Sequence, residues 1–218
     1  MEIPESFMRG IKKLSERLIK ADLKFSEIYS KGAVKLAEYG WYIGGSMTIS
    51  KALDAIGFIK TDDKDKIDEI FINYYSKNLN KLLKKIIEKY NERSKILTEA
   101  IKCHNSKLYF ASTSLFLSQA DGICNGELFK TRRSKSAIKE FIRENSDQNE
   151  ISSTLNAILA ENAIDVYHPN KIKYKSDLNR HGVMHGYDFD FGTETNSLKA
   201  FSILCYINDY IDRYNNIK

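Results

Sequence analysis

The run from Asn179 to Gly186 holds the densest set of chemically capable side chains in the chain. Within six residues it contains Arg180, His181 and His185. The two histidines are half of the four in the chain. Histidine titrates near neutral pH, so it can exchange protons or bind a metal, whereas arginine stays charged and grips anions. The stretch is therefore a candidate site for acid–base, metal or phosphate chemistry.

The spacing of the two histidines is one that a helix brings onto a single face. Residues at i and i+4 are neighbours on a helix, so His181 and His185 form a half-site of the kind that binds zinc. The sequence lacks the HExxH arrangement of zinc proteases, since Gly182 follows the first histidine. A zinc site also needs a third protein ligand, and the nearby acidic candidates are Asp177, Asp188 and Asp190. Metal binding is one of three interpretations.

The same stretch also fits a helix end and an acid–base site for RNA. A histidine beside a glycine often caps the last carbonyls of a helix, which would make the run structural. Cleavage of RNA instead requires a base for the ribose 2′-OH, an acid for the leaving 5′-oxygen and a cation for the phosphorane. Arg180 and His185 supply the cation and one proton-transfer group. A second copy of the motif across a two-fold axis would supply the other.

Hydrophobic periodicity predicts the helices that position this stretch. Residues 108–123 are apolar on all sides, which is typical of a helix in the middle of a bundle. Gln119 and Asp121 lie at its end, where polar groups either brace local backbone or face a site. The final helix follows cap residues at 193–196, and its core stripe consists of Leu198, Phe201, Leu204, Ile207 and Ile211.

The N-terminal part is predicted to be helical as well. Apolar spacing indicates helices over 4–20 and 26–39, the second ending at Gly40. A glycine-rich turn with the sole tryptophan follows. It lacks a phosphate-loop pattern, so a tight turn pinned by a buried aromatic is expected. Residues 60–90 show the cleanest helical period behind the N-cap pair Asp62–Asp63, as one long helix or as two with a kink near 76–80.

Composition favours long helices, and the sequence shows no alternation convincing enough for a β-sheet, so an all-α protein is expected. With 218 residues, 42% hydrophobic residues and only two prolines, it can form long helices around a sizeable core. The three cysteines are far apart and form no CxxC pair, so free thiols in a reducing compartment are expected. The N-terminus lacks the apolar run of a signal peptide, and no stretch is long enough to cross a bilayer. We therefore expect a soluble cytoplasmic protein with no membrane partner.

A second basic feature is the segment 130–139, which contains no acidic residue. Its cations are Lys130, Arg132, Arg133, Lys135 and Lys139. Cationic side chains neutralise the phosphates of a nucleic acid, and the net charge of +5 permits such a partner without requiring one. Four of these residues are the candidate RNA contacts: Lys130, Arg132, Arg133 and Lys135.

The motif and the final helix together resemble the HEPN superfamily (higher eukaryote and prokaryote nucleotide-binding domains). Arg180 and His185 fit its Arg-x4-His signature, and His181 fills the slot where the ribonuclease members typically place a polar residue. Further segments are similar to bacterial members of the group, namely 185–186, 190–193, 196–201 and the helix end Gln119–Gly122. The resemblance covers residues 105 to 213.

The resemblance implies an all-α helical bundle of HEPN type, in which two protomers place Arg180 and His185 in one shared cleft. It implies a metal-independent endoribonuclease that needs no cofactor and leaves a 2′,3′-cyclic phosphate, acting as a toxin or in antiphage (abortive-infection) defence. Arg180 would stabilise the phosphate and His185 would act as acid or base, with Asn179 and His181 orienting them. Gln119 or Asp121 as a bracing group is our own inference and no part of the motif.

The resemblance also divides the chain near residue 95. The HEPN-like bundle is expected over 95–218, and residues 1–94 are expected to add N-terminal helices packed on that bundle. The expected partners are an RNA substrate, a second copy of the chain and an antitoxin or regulatory protein. The alternative is a catalytically silent HEPN-like module that binds RNA, a nucleotide or a protein partner.

Overall fold

The computed structural model describes residues 5–44, 46–126 and 175–217 of the chain. Within those ranges every regular element is helical, which confirms the prediction of an all-α protein. The α-helices are α1 Glu5–Glu38, α2 Ile49–Ile59, α3 Lys64–Lys89, α4 Ser94–Asn105, α5 Tyr109–Gly122, α6 Arg180–Met184 and α7 Glu194–Ile217. A 3-10 turn, Asn91–Arg93, connects α3 to α4.

The N-terminal helix α1 is one element of 34 residues, whereas the apolar pattern predicts two helices over 4–20 and 26–39. That prediction is wrong because residues 11–31 contain neither glycine nor proline, so nothing in the backbone stops the helix between the two apolar stripes. The predicted end is confirmed. Helix α1 ends at Glu38, and Gly40 adopts a φ of +84°, a conformation that favours glycine.

The glycine-rich turn after α1 is pinned by its buried tryptophan, as predicted. The Trp41 ring stacks on Phe71 with centroids 5.0 Å apart, and its Nε1–H donates to Asp68 Oδ1 at 2.6 Å. The backbone N–H of Gly44 donates to the Tyr75 hydroxyl at 3.1 Å. Because these groups are engaged inside the fold, the turn ties the end of α1 to α3.

Helix α3 begins where its sequence signals place it. The Asp63 carboxylate accepts the backbone N–H of Lys66 at 3.2 Å, which confirms the predicted N-cap. The helix then runs without interruption to Lys89, so a kink does not divide it into two. Its buried side reaches α7, where Tyr75 packs edge-on against Phe201 with ring centroids 6.0 Å apart.

The last helix, α7, lies at the centre of the packed core. Its predicted stripe is confirmed, because all five of its residues are buried: Leu198, Phe201, Leu204, Ile207 and Ile211. Helix α5 packs beside it through Phe116, whose ring centroid lies 5.1 Å from that of Phe201. The prediction that α5 is apolar and enclosed on all sides is wrong. Phe110 is exposed, and the buried side includes Ser112 and Thr113, because α4 and α7 cover only part of the helix.

The described core residues form a single cluster on both sides of residue 95. Helix α3 packs on both α4 and α7, so the N-terminal helices contribute to the same core as the helices around the motif. All three cysteines are free thiols. None of the described helices is both long enough and apolar enough to cross a membrane.

Candidate functional site

The motif forms a five-residue helix, α6, which carries Arg180 at its start and His185 directly after its end. Asn179 has an extended backbone, and its side-chain oxygen accepts the Gly182 N–H at 2.6 Å, so Asn179 is the N-cap of this helix. Val183 is buried and anchors the helix in the core. Asn179 therefore fixes the direction in which Arg180 leaves the backbone.

The loop after α6 folds back onto the helix. Gly186 turns the chain with a φ of +74°, and the N–H groups of Tyr187 and Asp188 both donate to the Gly182 carbonyl, at 2.7 and 3.1 Å. A Cβ at position 182 would lie 3.2 Å from Asp188 Cβ and 3.3 Å from Asn179 Oδ1, which is tighter than an ordinary contact. Glycine at this position therefore lets the loop approach, and α6 and its loop form one hydrogen-bonded unit.

Arg180 is held by an acidic residue from a distant part of the chain. Its Nη2 lies 3.1 Å from Asp121 Oδ2 in the last turn of α5, and the Arg180 side chain is only 12% exposed. Solvent screens such a partly buried ion pair less than it screens a surface pair. The second carboxylate oxygen, Asp121 Oδ1, is buried and has no hydrogen-bond partner among the described residues. Asp121 is therefore the side chain that orients the guanidinium from α5.

Gln119 contacts a different arginine. Its Oε1 accepts from Arg93 Nη1 at 2.9 Å, and Arg93 Nη2 donates to the Gly122 carbonyl at 2.6 Å. Arg93 therefore caps the end of α5 and supports the turn that carries Asp121. Arg93 was not predicted as part of the site, because a contact that spans 26 residues leaves no local sequence pattern.

The two histidines lie side by side, as their spacing predicts. Their ring centroids are 4.3 Å apart, and the Tyr187 ring lies 6.3 Å from His181 and 6.2 Å from His185. His185 is exposed, whereas His181 is half-buried. Partial burial lowers the pKa of His181, and the neighbouring His185 and Arg180 lower it further. These effects favour the neutral form of His181, which packs against His185.

Two of the three acidic candidates near the motif, Asp177 and Asp188, have partners within the fold. Asp177 forms an ion pair with Lys64 at 3.1 Å, and buried Asp188 accepts the Asp190 N–H at 3.2 Å. In the ranges 5–44, 46–126 and 175–217, no three histidine, cysteine, aspartate or glutamate side chains come together in a way that could hold a metal ion. The zinc interpretation of His181 and His185 therefore lacks a third ligand within the part of the chain that the structure describes.

Exposed apolar side chains lie on α6, on its loop and at the start of α5. Eight large hydrophobic residues are exposed in the described part of the chain, and five of them lie on α6, on its loop or around the start of α5: Leu108, Phe110, Met184, Tyr187 and Phe189. Phe110 links these elements, because its ring packs edge-on against Phe191 with centroids 5.0 Å apart. Exposed apolar patches of this kind often mark interaction surfaces. The exposure of Tyr187 and Phe189 was not predicted, because the sequence pattern at these positions is equally compatible with burial in the core.

The described site consists of α6, its loop and the end of α5. The predicted RNA contacts Lys130, Arg132, Arg133 and Lys135 lie outside the described residues. Comparisons of the chain with known protein families, with curated proteins and with solved structures give no match. The fold brings together five side chains able to do chemistry: Asn179, Arg180, His181, His185 and Asp121.

Proposed function

We propose that this chain is a metal-independent endoribonuclease of HEPN type, acting as a homodimer in a toxin or antiphage defence system. The observation that carries the proposal is the arrangement on α6. Arg180 is oriented by Asp121, and the exposed ring of His185 stands at the opposite end of the helix. An oriented cation and an accessible proton-transfer group are what cleavage at a ribose 2′-OH requires.

The proposed reaction transfers the phosphate to the neighbouring 2′-oxygen. A base takes the proton of the 2′-OH, and the 2′-oxygen attacks phosphorus. The bond to the 5′-oxygen breaks as that oxygen takes a proton from an acid, leaving a 2′,3′-cyclic phosphate and a 5′-OH. The Arg180 guanidinium stabilises the negative charge of the phosphorane, and His185 serves as the base or the acid.

One histidine cannot easily accept and donate a proton in the same step, so the proposal includes a second copy of the chain. A two-fold axis beside α6 would bring His185 and its symmetry mate into one cleft. The exposed side chains of Met184 and Phe189, on α6 and its loop, support an interface there, because covering them removes apolar surface from water. An antitoxin or regulatory protein would be a further partner of such an enzyme.

Other residues of the site act through Arg180 and His185. Asn179 caps α6, and His181 packs against the His185 ring, so both are positioning residues in this proposal. Asp121 positions the guanidinium in the same sense. Additional contacts to RNA phosphates are assigned to the basic cluster Lys130, Arg132, Arg133 and Lys135.

Cleavage of single-stranded RNA in EDTA tests the proposal. The wild-type chain is expected to cut, while His185→Ala and Arg180→Ala each lose at least about a hundredfold in rate with unchanged helical content. Arg180→Lys keeps the charge but loses the planar guanidinium, so its rate is expected to lie between those of the wild type and Arg180→Ala. Lys102→Ala, which removes an exposed lysine on α4, is the matched control. Excess His185→Ala chain should also inhibit the wild-type chain, because mixed dimers would hold an incomplete site.

A catalytically silent HEPN-like module is the second candidate, and the burial of Arg180 favours it. A guanidinium that is largely enclosed and paired with Asp121 also suits a structural role. Such a module would bind RNA, a nucleotide or a protein partner without cutting. It would be identified by a wild-type chain that does not cut RNA, together with RNA binding that persists in His185→Ala and Arg180→Ala. Cutting that requires added divalent metal would point instead to His181 and His185 as ligands.

A further inference from the structure

The ring of Tyr187 is exposed although its backbone is fixed. The residue is 58% exposed, while its N–H donates to the Gly182 carbonyl at 2.7 Å. The next residue, Asp188, is buried and donates to the same carbonyl. An aromatic side chain on a fixed backbone has few torsions to lose when a flat ligand covers it. The loop therefore presents an aromatic face in a preorganised position.

The Tyr187 ring adjoins both histidines of the motif. Its plane makes angles of 27° with the His181 ring and 29° with the His185 ring. The three side chains combine aromatic faces with ring nitrogens and a hydroxyl, so this surface can both stack and hydrogen-bond. Aliphatic side chains of a protein partner would only pack against the aromatic faces. A nucleobase can both stack on these faces and form hydrogen bonds.

We infer that Tyr187 stacks on a nucleobase of single-stranded RNA, next to the phosphate addressed by Arg180 and His185. The inference rests on the proposed function and adds that the substrate is unpaired at this position. Bases of single strands can splay out onto aromatic side chains, whereas bases inside an A-form helix are paired and stacked on each other. Stacking of this kind tolerates any base, because every base has a flat face. Tyr187 would thus select unpaired RNA more strongly than it selects a sequence.

Binding of a short, 2′-O-methylated single-stranded oligonucleotide tests the inference without cleavage, because a blocked 2′-oxygen cannot attack phosphorus. Tyr187→Ala is expected to weaken binding about tenfold, the effect of losing one base–aromatic stack. Tyr187→Phe keeps the aromatic face and is expected to restore the affinity. Phe25→Ala removes an exposed aromatic ring from α1 and serves as the matched control. The affinity for a duplex of the same sequence is expected to be independent of Tyr187.

Fluorescence provides a second measurement that does not depend on a loss of function. Tyr187→Trp places an indole on the surface, while the native Trp41 is fully buried. If a base stacks at position 187, titration with the oligonucleotide quenches the new indole in Tyr187→Trp and leaves the emission of Trp41 in the wild-type chain nearly unchanged.

Equal affinity of Tyr187→Ala and the wild type would overturn the inference, as would failure of the wild type to bind the oligonucleotide. A Tyr187→Ala chain that is monomeric in size-exclusion chromatography, beside a dimeric wild type, would assign the ring to the interface between copies and overturn it as well. The nuclease proposal is tested separately on unmodified RNA. If the wild-type chain does not cut RNA but its affinity for the oligonucleotide depends on Tyr187, the nuclease proposal is overturned and the base-stacking inference stands.

Discussion

Two neighbouring stretches of the chain place polar side chains in opposite environments. Residues 179–193, which form α6 and its loop, leave His185 and Tyr187 exposed. The first turns of α7, which follow directly, bury Ser197 and Lys199. Both stretches carry groups that exchange protons or form hydrogen bonds, so residue types alone do not distinguish a site from a structural cluster. Access to solvent distinguishes them, and it depends on how the helices pack.

The buried cluster around Lys199 shows how the fold encloses a reactive group. Lys199 Nζ lies 3.6 Å from Asp68 Oδ1 and over the ring of Trp41, and the side chain has no exposure to solvent. Burial lowers the pKa of Lys199 to about 8, against the opposing effect of Asp68. In an open cleft such a lysine would be a candidate nucleophile. Here no substrate can reach it, whereas His185 is open to one.

The largest effect is expected from removing the acid of this buried cluster. Asp68 accepts from Trp41 Nε1 at 2.6 Å and from Lys64 Nζ at 2.7 Å, and it faces Lys199. Asp68→Ala therefore leaves a buried amine without its counter-charge and a buried indole N–H without its acceptor. We expect the free energy of unfolding to fall by about 3–5 kcal/mol. Urea unfolding followed by the fluorescence of Trp41, the sole tryptophan, measures the change.

Lys199→Met is the matched control for this prediction. Methionine has a similar length and replaces an amine that has no hydrogen-bond partner among the described residues, so the free energy of unfolding should change by less than about 1.5 kcal/mol. RNA cutting by this variant should persist if the cluster is structural only. The contrast between the two stretches would fail if Asp68→Ala cost less than about 1 kcal/mol. The contrast would also fail if Lys199→Met folded normally but no longer cut RNA.

Local parts of the fold and the site were predictable because their signals lie within a few residues. The cap at Asp63 follows from a side chain that reaches a backbone N–H three residues later. The sequence allows either Asp177 or Asn179 to begin the helix of the motif, and Asn179 caps it. The pairing of His181 with His185 follows from the i to i+4 geometry of a helix. Gly40 ends α1 because its positive φ suits glycine.

Contacts between distant parts of the chain could not be predicted in this way. Arg180 and Asp121 are 59 residues apart, and the rotation of α5 against α6 decides that Asp121 rather than Gln119 meets the arginine. The exposure of Phe110 and Tyr187 depends on which sides of their elements the other helices cover. An apolar residue in sequence is compatible with a core and with an interaction surface, so only packing separates the two.

In the exposed stretch, the next largest effect is expected from Asp121→Asn. The amide keeps the shape of the side chain but loses the charge that orients Arg180. If Arg180 stabilises the transition state, kcat for RNA cutting should fall about ten- to a hundredfold with KM nearly unchanged. Gln119→Ala is the control, because it removes a partner of Arg93 instead and should reduce kcat much less. Equal losses in both variants would indicate general damage to the end of α5 and not a loss of orientation.

The smallest expected effect concerns the pH dependence of stability. His181 belongs to the exposed stretch, and His104 of α4 contacts Ser197 in the buried stretch. His104 in the core lies 2.9 Å from Ser197 Oγ, and burial lowers its pKa against the opposing effect of Glu194. Because the unfolded chain then takes up the proton first, the stability due to neutral His104 is fully present above about pH 6.5 and is lost as the pH falls. His104→Gln should cost about 1 kcal/mol at neutral pH. It should also flatten the decline of the urea midpoint between about pH 7 and about pH 5.

His181→Gln makes the same measurement in the exposed stretch. Burial, His185 and Arg180 lower the pKa of His181, so the sign of the pH dependence is the same as for His104. Since His181 is only half-buried, solvent should screen the charge of its protonated ring more effectively than it does for His104. The flattening of the pH dependence should therefore be smaller than in His104→Gln. An equal or larger flattening in His181→Gln would mean that residues 179–193 are enclosed in solution as the start of α7 is.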